Sequence, residues 1–281
     1  MSAHSTNLHD DTMDLVSRLK AADEAFALAT VVRTVSVTAA KAGAKAVIHP
    51  DGRIMAGWIG GGCARGAVLK AAREALADGQ PRLVSVQPET LLAELGVQPG
   101  EDRDGVRFAK NTCPSKGTMD IFVEPVLPRP SLIILGASPV ATALAEQAPR
   151  FGFSVTIAAP AGDLSDAPNT DVVIDGYNLD RLTEARRFIV VSTQGKGDEA
   201  ALRAAVAVDA AYHAFVGSRR KIATLRQILL ADGVPAAAFD RVKAPAGLDL
   251  GAITPEEIAL SILVEIIRER RRGQRGEPQT F

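Results

Sequence analysis

Cysteine is scarce in this chain: two thiols among 281 residues cannot make a disulfide scaffold. An excess of charge of one sign is missing as well. Lysine and arginine number 32 against 33 acidic residues, and the net charge of -1 argues against nucleic acid or an anionic membrane as the main partner. No apolar run reaches the ~18 uninterrupted residues of a transmembrane span. The longest, SLIILGASPVATALA, is broken by turn formers. The opening MSAHSTNLHDDTMDL carries neither the basic nor the apolar block of an export signal. Together these absences predict a soluble, cytoplasmic protein that handles a small molecule or another protein. The rest is an ordinary globular mixture, 47% apolar and 23% charged, over a length that suggests roughly one to three domains.

Residues 1–13 lack periodicity and read as a disordered lead; Leu15, Leu19 and Ala22 then mark a short helix from Asp14 to Ala25. FALATVVRTVSVT and AKAVIH read as strands, with Asp51 and Gly52 as a hairpin turn and Arg53–Ile59 as the returning strand. Helical spacing of Val68, Ala71, Ala72, Ala75 and Leu76 follows, with Gly79 as its stop. PRLVSVQP and GTMDIFVEPV are further strands, and residues 96–116, rich in charge, Gly and Pro, read as loop. LPRP at 127–130 marks a linker between a domain at 14–127 and another at 131–272, with 273–281 as a tail. In the second, SLIILG, FSVTIA, DVVID, RFIVVST and AYHAFVG alternate with helical segments. The expected fold class is α/β: an N-terminal α+β domain with mainly antiparallel strands, then a Rossmann-like doubly wound parallel sheet.

GWIGGGC, residues 57–63, places Gly60, Gly61, Gly62 and Cys63 at a strand-to-helix turn. Glycine lets a ligand lie against the main chain, and a thiol at a helix start has a lowered pKa. That chemistry suits a soft metal or sulfur; a tight turn with a buried cysteine fits the segment equally well. Cys113 occupies a second turn, NTCPSKGTMD, in the same domain. The two turns either converge on one ligand or never meet, and two cysteines without histidine make a poor zinc site.

GASPVA, residues 136–141, stands where a dinucleotide fingerprint would stand, with Gly136 in place but Ser138 and Ala141 replacing its later glycines. The acidic residue expected after the second strand is also missing there, since Asp163 falls late, which counts against NAD(P). A phosphate on the helix start remains open. VGSRRK gives Gly217, Ser218 as N-cap, and Arg219, Arg220 and Lys221 in the first helical turn, where cations are disfavoured. An anionic ligand would offset them, and so would a carboxylate from a neighbouring loop. STQGKGDEAAL brings Gly195 and Lys196 to another strand end; the alternative there is a solvated turn with Asp198 capping the next helix. Thr254, Pro255 and Glu257 form a capping box ahead of an apolar helix that ends in Arg268–Arg272, a solvated end or a docking patch.

GWIGGGCARGAV, CPSKGTMDIFVEPV, LIILGASPVATALA, FVGSRRK and APAGLDLGAITPEEIALSILVEI, in this order, resemble the XdhC/CoxI family of xanthine dehydrogenase accessory factors. The resemblance spans about residues 25–270, and its CPSKG and TQGKGD stretches are more similar to the carbon monoxide dehydrogenase branch. It implies a maturation factor or chaperone, an accessory protein rather than a turnover enzyme. Such a factor binds molybdenum cofactor, in a form that includes the pterin dinucleotide, supports its sulfuration and delivers it to a molybdenum hydroxylase apoenzyme. A sulfur donor protein is then a second partner, and a homodimer is compatible with it. Cys63 and Cys113 become the reactive residues, with Cys63 as a molybdenum or copper contact. The glycines Gly60–Gly62, Gly136, Gly195 and Gly217, with Ser138, Lys196, Ser218, Arg219, Arg220 and Lys221, become cofactor contacts. The chain departs from the family pattern at Arg65, where Glu is common, and at Pro114 and Ser115, where glycines follow the second cysteine. Two other readings stay open on the residues: a nicotinamide-dependent oxidoreductase and a redox-responsive interaction protein.

Overall fold

A computed structural model describes residues 8–272 except 114, 115, 166, 167, 181 and 183–185; of residues 8–11 and Cys63 it describes the backbone alone. The predicted tail at 273–281 and the Pro114 and Ser115 positions lie outside the described residues. The chain divides into two compact units, residues 1–128 and 129–281.

The first unit begins with helix α1 (Leu8–Ala21), which starts six residues before the predicted Asp14 and so corrects the disordered lead for residues 8–13. Thr12 is buried in line with Val16 and Leu19, so the inward stripe begins a turn earlier than the apolar residues alone suggest. Strands β1 (Phe26–Val35), β2 (Lys45–Ile48) and β3 (Ile54–Gly57) form an antiparallel meander. Helix α2 (Gly62–Asp78) leads to β4 (Arg82–Pro88) and helix α3 (Glu89–Leu95), and β5 (Asp102–Arg103), β6 (Val106–Asn111) and β7 (Thr118–Val126) complete the unit. The sheet order is β3-β2-β1-β7-β4-β6-β5, antiparallel except for β4 with β6. Small and β-branched side chains from β1, β4 and β7 pack with Val68, Ala71, Ala72 and Ala75 of α2 in one core. Val16 and Leu19 of α1 pack with Phe26 and Val47 in another.

Residues 96–116 are therefore not all loop. Every residue of β6 is half-buried, and Arg107 is tied by ion pairs to Asp102 at 2.7 Å and to Glu74. Its partners neutralise a charge that counted towards reading this stretch as loop. A parallel pair needs a crossover, and the β4-to-β6 connection contains α3.

The second unit is a parallel sheet of β8 (Ser131–Leu135), β9 (Ser154–Ala159), β10 (Val172–Asp175), β11 (Arg187–Val191), β12 (Tyr212–Phe215) and β13 (Val242–Lys243). Its order is β10-β9-β8-β11-β12-β13, all parallel. This is the doubly wound Rossmann arrangement, with the reversal between β8 and β11. The helices are α4 (Pro139–Gln147), α5 (Asp198–Ala207), α6 (Arg219–Ala231), α7 (Ala236–Phe239) and α8 (Pro255–Arg271). Leu132 and Ile134 of β8 face a core shared with α4 and α8, while Ile133 and Leu135 face one shared with α5, α6 and α7. The two-sided burial explains why SLIIL is apolar throughout. The capping box of Thr254 and Glu257 forms. Arg268 and Arg272, predicted as solvated or docking residues, pair at 3.0 Å with Glu265 and Glu269 of their own helix. Among the described residues no helix is long and apolar enough to cross a membrane.

Gly57 lets β3 leave the sheet towards the glycine turn: its φ is +83° and a Cβ there would lie 2.1 Å from the Lys45 carbonyl oxygen. Gly57→Ala is expected to cost about 1–3 kcal/mol of stability in urea unfolding. Gly66→Ala, inside α2 with nothing within 4 Å of the added carbon, is expected to add about 0.5–1 kcal/mol. Equal effects of the two would show that the approach to Lys45 does not constrain the fold.

Candidate functional site

In the first unit the strand-to-helix turn is assembled from both ends. β3 ends at Gly57, and α2 starts at Gly62 with Gly61 in extended conformation and no side-chain cap. An uncapped start leaves backbone N–H groups pointing outward with the positive end of the helix dipole. Gly60, Gly61 and Gly62 line a cavity of about 330 Å³, and Asn111, Thr112 and Cys113 line it from the end of β6. Thr38 and Met119 are among its remaining walls. Cys113 is exposed. Its turn is held by Asn111, whose carbonyl oxygen accepts the Cys113 N–H at 2.9 Å while its amide donates to the Gly117 carbonyl at 2.6 Å. The glycine turn and the Cys113 turn thus share one cavity. Cys63 follows Gly62 in the first turn of α2, and its side chain lies outside the described residues. Among the described residues no group of three His, Cys, Asp or Glu could hold a metal ion; the sulfur atoms at this cavity belong to Cys113 and Met119. Asn111 and Met119 lie within the NTCPSKGTMD stretch but were not singled out as site residues, and Thr38, in the turn after β1, carried no signal; the folded sheet brings all three to the cavity.

On the opposite side of the same sheet, Asp120 joins Arg33 and Ser85. The Arg33 Nε and Ser85 Oγ donate to its two oxygens at 2.6 Å each, and Gln87 donates on to Ser85 at 2.8 Å. This chain of bonds crosses β1, β7 and β4 and satisfies buried Ser85 and Gln87.

In the second unit a cavity of about 170 Å³ lies where the strand order reverses. The turn Gly136–Ser138 after β8 forms one wall, and Thr193, Gln194 and Lys196 after β11 form another. Gly136 permits this meeting: its φ is +119°, and a Cβ would lie 2.3 Å from the Ser192 carbonyl oxygen. Ser138 caps α4 by accepting the Ala141 N–H at 3.2 Å, and shares a 2.6 Å hydrogen bond with Ser192 Oγ. The Ser138 N–H itself donates to the Ser192 carbonyl at 3.4 Å, and Pro139 has no N–H to give. Three of the donors that a dinucleotide pyrophosphate would use are therefore absent or engaged.

Asp163 and Tyr177 complete the cavity. Asp163, too late in sequence for the usual acidic position, is carried there by a single 3-10 turn, Ala161–Asp163, directly after β9. Its signal in the sequence was its place as the first carboxylate after the second strand. Burial, Asp163 and Asp198 together push the Tyr177 hydroxyl above its ordinary pKa, so it remains a donor. Gln194 holds φ at +53°, a conformation costly for a residue with a side chain, and lines the same cavity.

Lys221 is engaged. Its ammonium pairs with Asp198 Oδ2 at 2.6 Å and lies over the Phe215 ring. Asp198 does not cap α5, as its position had suggested; it turns back, and its Oδ1 accepts from Thr193 Oγ1 and from the Gly195 N–H at 3.2 Å. The partner of Lys221 is thus a carboxylate from a neighbouring loop, one of the two alternatives that VGSRRK left open. Burial raises the Asp198 pKa, but Lys221, Thr193 and Gly195 outweigh it and hold the carboxyl below its ordinary value. Gly195 stands behind the cavity wall with its N–H committed to this carboxylate. Gly217, Ser218, Arg219 and Arg220 sit at the next strand end and do not line the cavity. Ser218 caps α6 by accepting the Lys221 N–H at 3.2 Å. Arg219 and Arg220 are exposed and, among the described residues, make no ion pair.

Comparison with known proteins bears on both units. The family described as XdhC Rossmann domain matches residues 132–266, and the XdhC and CoxI family matches residues 19–87. YqeB of Escherichia coli (strain K12) is 27% identical over 263 residues, which cover 89% of this chain and 44% of that protein. A probable xanthine dehydrogenase subunit of Bacillus subtilis (strain 168) is 32% identical over 163 residues, 55% of this chain and 47% of that one. The chain spans under half the length of these curated relatives. A solved xanthine dehydrogenase structure from Bacillus halodurans aligns over 96% of this chain and 98% of its own, at 19% identity and a TM-score of 0.46.

The Asp198 cluster yields a test. A carboxylate with a depressed native pKa stabilises the fold above its unfolded pKa, and that contribution is lost as pH falls through the native value. The stability gap between the parent protein and Asp198→Asn is therefore expected in full above the ordinary aspartate value of 3.8 and to close below it. At neutral pH Asp198→Ala should cost about 1–3 kcal/mol through the donors left unpaired, while Arg219→Ala stays within about 0.5 kcal/mol. Denaturant unfolding at several pH values reads both; a gap unchanged down to acid would remove the ionised cluster from the account.

Proposed function

Since the chain belongs to the XdhC and CoxI family, we propose that it is a maturation factor for a molybdenum hydroxylase, holding molybdenum cofactor and handing it to the apoenzyme. One observation supports this reading most: the glycine turn and Cys113 line a single cavity of about 330 Å³. Its donor set is soft, with Cys113 thiol and Met119 thioether, and the bare backbone at Gly61 and Gly62 has nothing within 4 Å of a Cβ position. Such a set fits the sulfur-rich end of a cofactor that brings its own metal, and fits less well a metal caged by the protein alone. When bound, the cofactor supplies the metal and sulfur at which an acceptor enzyme oxidises its substrate.

The residues of the chain hold and orient. Gly60–Gly62 leave room for a ligand against the main chain, the α2 start offers unpaired N–H groups, and Cys113 with Cys63 supplies thiolate. Thiolates in this setting support the sulfuration step, in which a separate sulfur donor protein takes part. In the second unit Arg219, Arg220 and Lys196, which have no carboxylate partner among the described residues and stand at strand ends, are suited to phosphate, and Lys221 is withdrawn from that role by Asp198. The acceptor belongs to the xanthine dehydrogenase group, the group for which the Bacillus subtilis relative is named, or to the carbon monoxide dehydrogenase group that CPSKG and TQGKGD resemble. A nicotinamide oxidoreductase is less well supported, because the donors at the α4 start are largely engaged by Ser138 and Ser192.

The test is maturation of an acceptor hydroxylase in cells that make the cofactor. Cys63→Ser should leave the stability read by urea unfolding within about 0.5 kcal/mol of the parent value while acceptor activity and its molybdenum or sulfur content collapse. Cys113→Ser should give a smaller loss. Serine keeps the shape but is a far poorer soft-metal ligand. An acceptor matured at the normal rate by both variants would reduce the two thiols to turn packing and overturn the reading.

A further inference from the structure

The cavity at the strand reversal of the second unit carries two opposite charges that do not meet. Asp163 lies on the turn after β9 and Lys196 on the turn after β11, and both line the same space of about 170 Å³. Neither makes a hydrogen bond through its side chain or an ion pair among the described residues, and both are exposed. The neighbouring carboxylates are engaged: Asp198 holds Thr193, Gly195 and Lys221, and Asp175 accepts the Ala161 N–H at 2.8 Å. Asp163 and Lys196 are thus the charges in this cavity still open to a ligand.

What they would take follows from their chemistry. An ionised carboxylate is acceptor-only and calls for hydroxyl or N–H donors; an ammonium is donor-only and calls for an anion. One small ligand must therefore carry donors at one end and negative charge at the other. Tyr177 and Gln194, on the same walls, add a phenolic donor and an amide able to do either. The volume is below the ~300 Å³ typical of drug-sized pockets, which suits a pentose with one phosphate. The helix start agrees with a single phosphate: with Ser138 and Ala141 N–H engaged and Pro139 lacking one, Val140 is the donor left in that first turn.

We infer that this cavity binds the ribose 5′-phosphate portion of a ribonucleotide, with Asp163 accepting from the vicinal hydroxyls and Lys196 pairing with the phosphate. The inference rests on the maturation reading for the source of that portion, the nucleotide half of a pterin dinucleotide, and on the cavity for its chemistry.

Calorimetric titration of the full chain tests it, with AMP, CMP and GMP as probes beside ribose 5-phosphate, a 2′,3′-dideoxynucleoside monophosphate and NADH. The ribonucleotides should bind about tenfold or more tightly than the dideoxy analogue, as expected for hydrogen bonds to a charged group. Asp163→Asn should bring that ratio towards one, and Lys196→Ala should weaken every 5′-phosphate while keeping the ratio. Both side chains are exposed and have no hydrogen-bond or ion-pair partner among the described residues, so the variants should fold. Equal affinity for ribo and dideoxy forms, no ribonucleotide binding at millimolar concentration, or an unaltered ratio in Asp163→Asn would each overturn the assignment. NADH binding more tightly than all the monophosphates would overturn the single-phosphate site. Acceptor maturation is read separately. Ribose discrimination without any effect of the cysteine variants on maturation would sink the maturation reading and leave the cavity's assignment standing; the converse pair of results would do the opposite.

Discussion

One buried carboxylate organises the ligand-facing edge of the second unit. Asp198 is nearly enclosed, and burying an ionised aspartate is tolerable only if its oxygens are answered. The answers come from three places in the chain: the Thr193 hydroxyl, the Gly195 N–H and the Lys221 ammonium. Satisfying it therefore fixes the β11–α5 turn in a tight loop and ties that loop to the first turn of α6. Gln194, at positive φ, is held in that loop. The wall of the cavity at the strand reversal is tied to α6 through this carboxylate, and Lys196 on the same loop makes no ion pair among the described residues.

The same distinction, between charges the fold consumes and charges it leaves, sorts the candidate residues of both units. Arg107, Asp120 and Lys221 are polar groups in suggestive places, yet each is answered by a neighbour and works for the fold. Asp163, Lys196, Arg219 and Arg220 have no such answer among the described residues and are open to a ligand. In the first unit the distinction is one of softness: among the described residues the cavity beside the uncapped α2 start is walled by glycine backbone, amide, hydroxyl and apolar groups and two sulfur-bearing residues, with no carboxylate.

How much of this could be read in the sequence depended on whether the signal was local. The parallel sheet was legible because β8 is covered on both faces and must be apolar along its length. The capping box at Thr254 and the hairpin at Asp51–Gly52 were legible because a few adjacent residues determine them. β6 was not, because Arg107 is neutralised by Glu74 and Asp102, the former on a helix more than thirty residues away, and Lys110 by Glu89. Nor was the partner of Lys221, since α5 and α6 meet only once the sheet is built. Asp163 was set aside on spacing alone; the 3-10 turn that delivers it has no apolar pattern to announce it. Leu8–Met13 were misread because a buried threonine carries the helix stripe where an aliphatic residue was expected.

The sheet of the first unit also sets the order in which the chain can be completed during synthesis. β1 is bonded on one side to β2, which follows it directly, and on the other to β7, whose Asp120 lies 87 residues beyond Arg33. At translation rates of about 5–20 residues per second, one whole edge of β1 stays unpaired for several seconds after the strand has emerged. That edge includes Leu28 and Val31, and open apolar edges are where chains join one another. Residues 1–117 released without β7 would expose the centre of the sheet rather than its rim, so a nascent chain stalled before Thr118 is more prone to aggregate than one stalled beyond Val126.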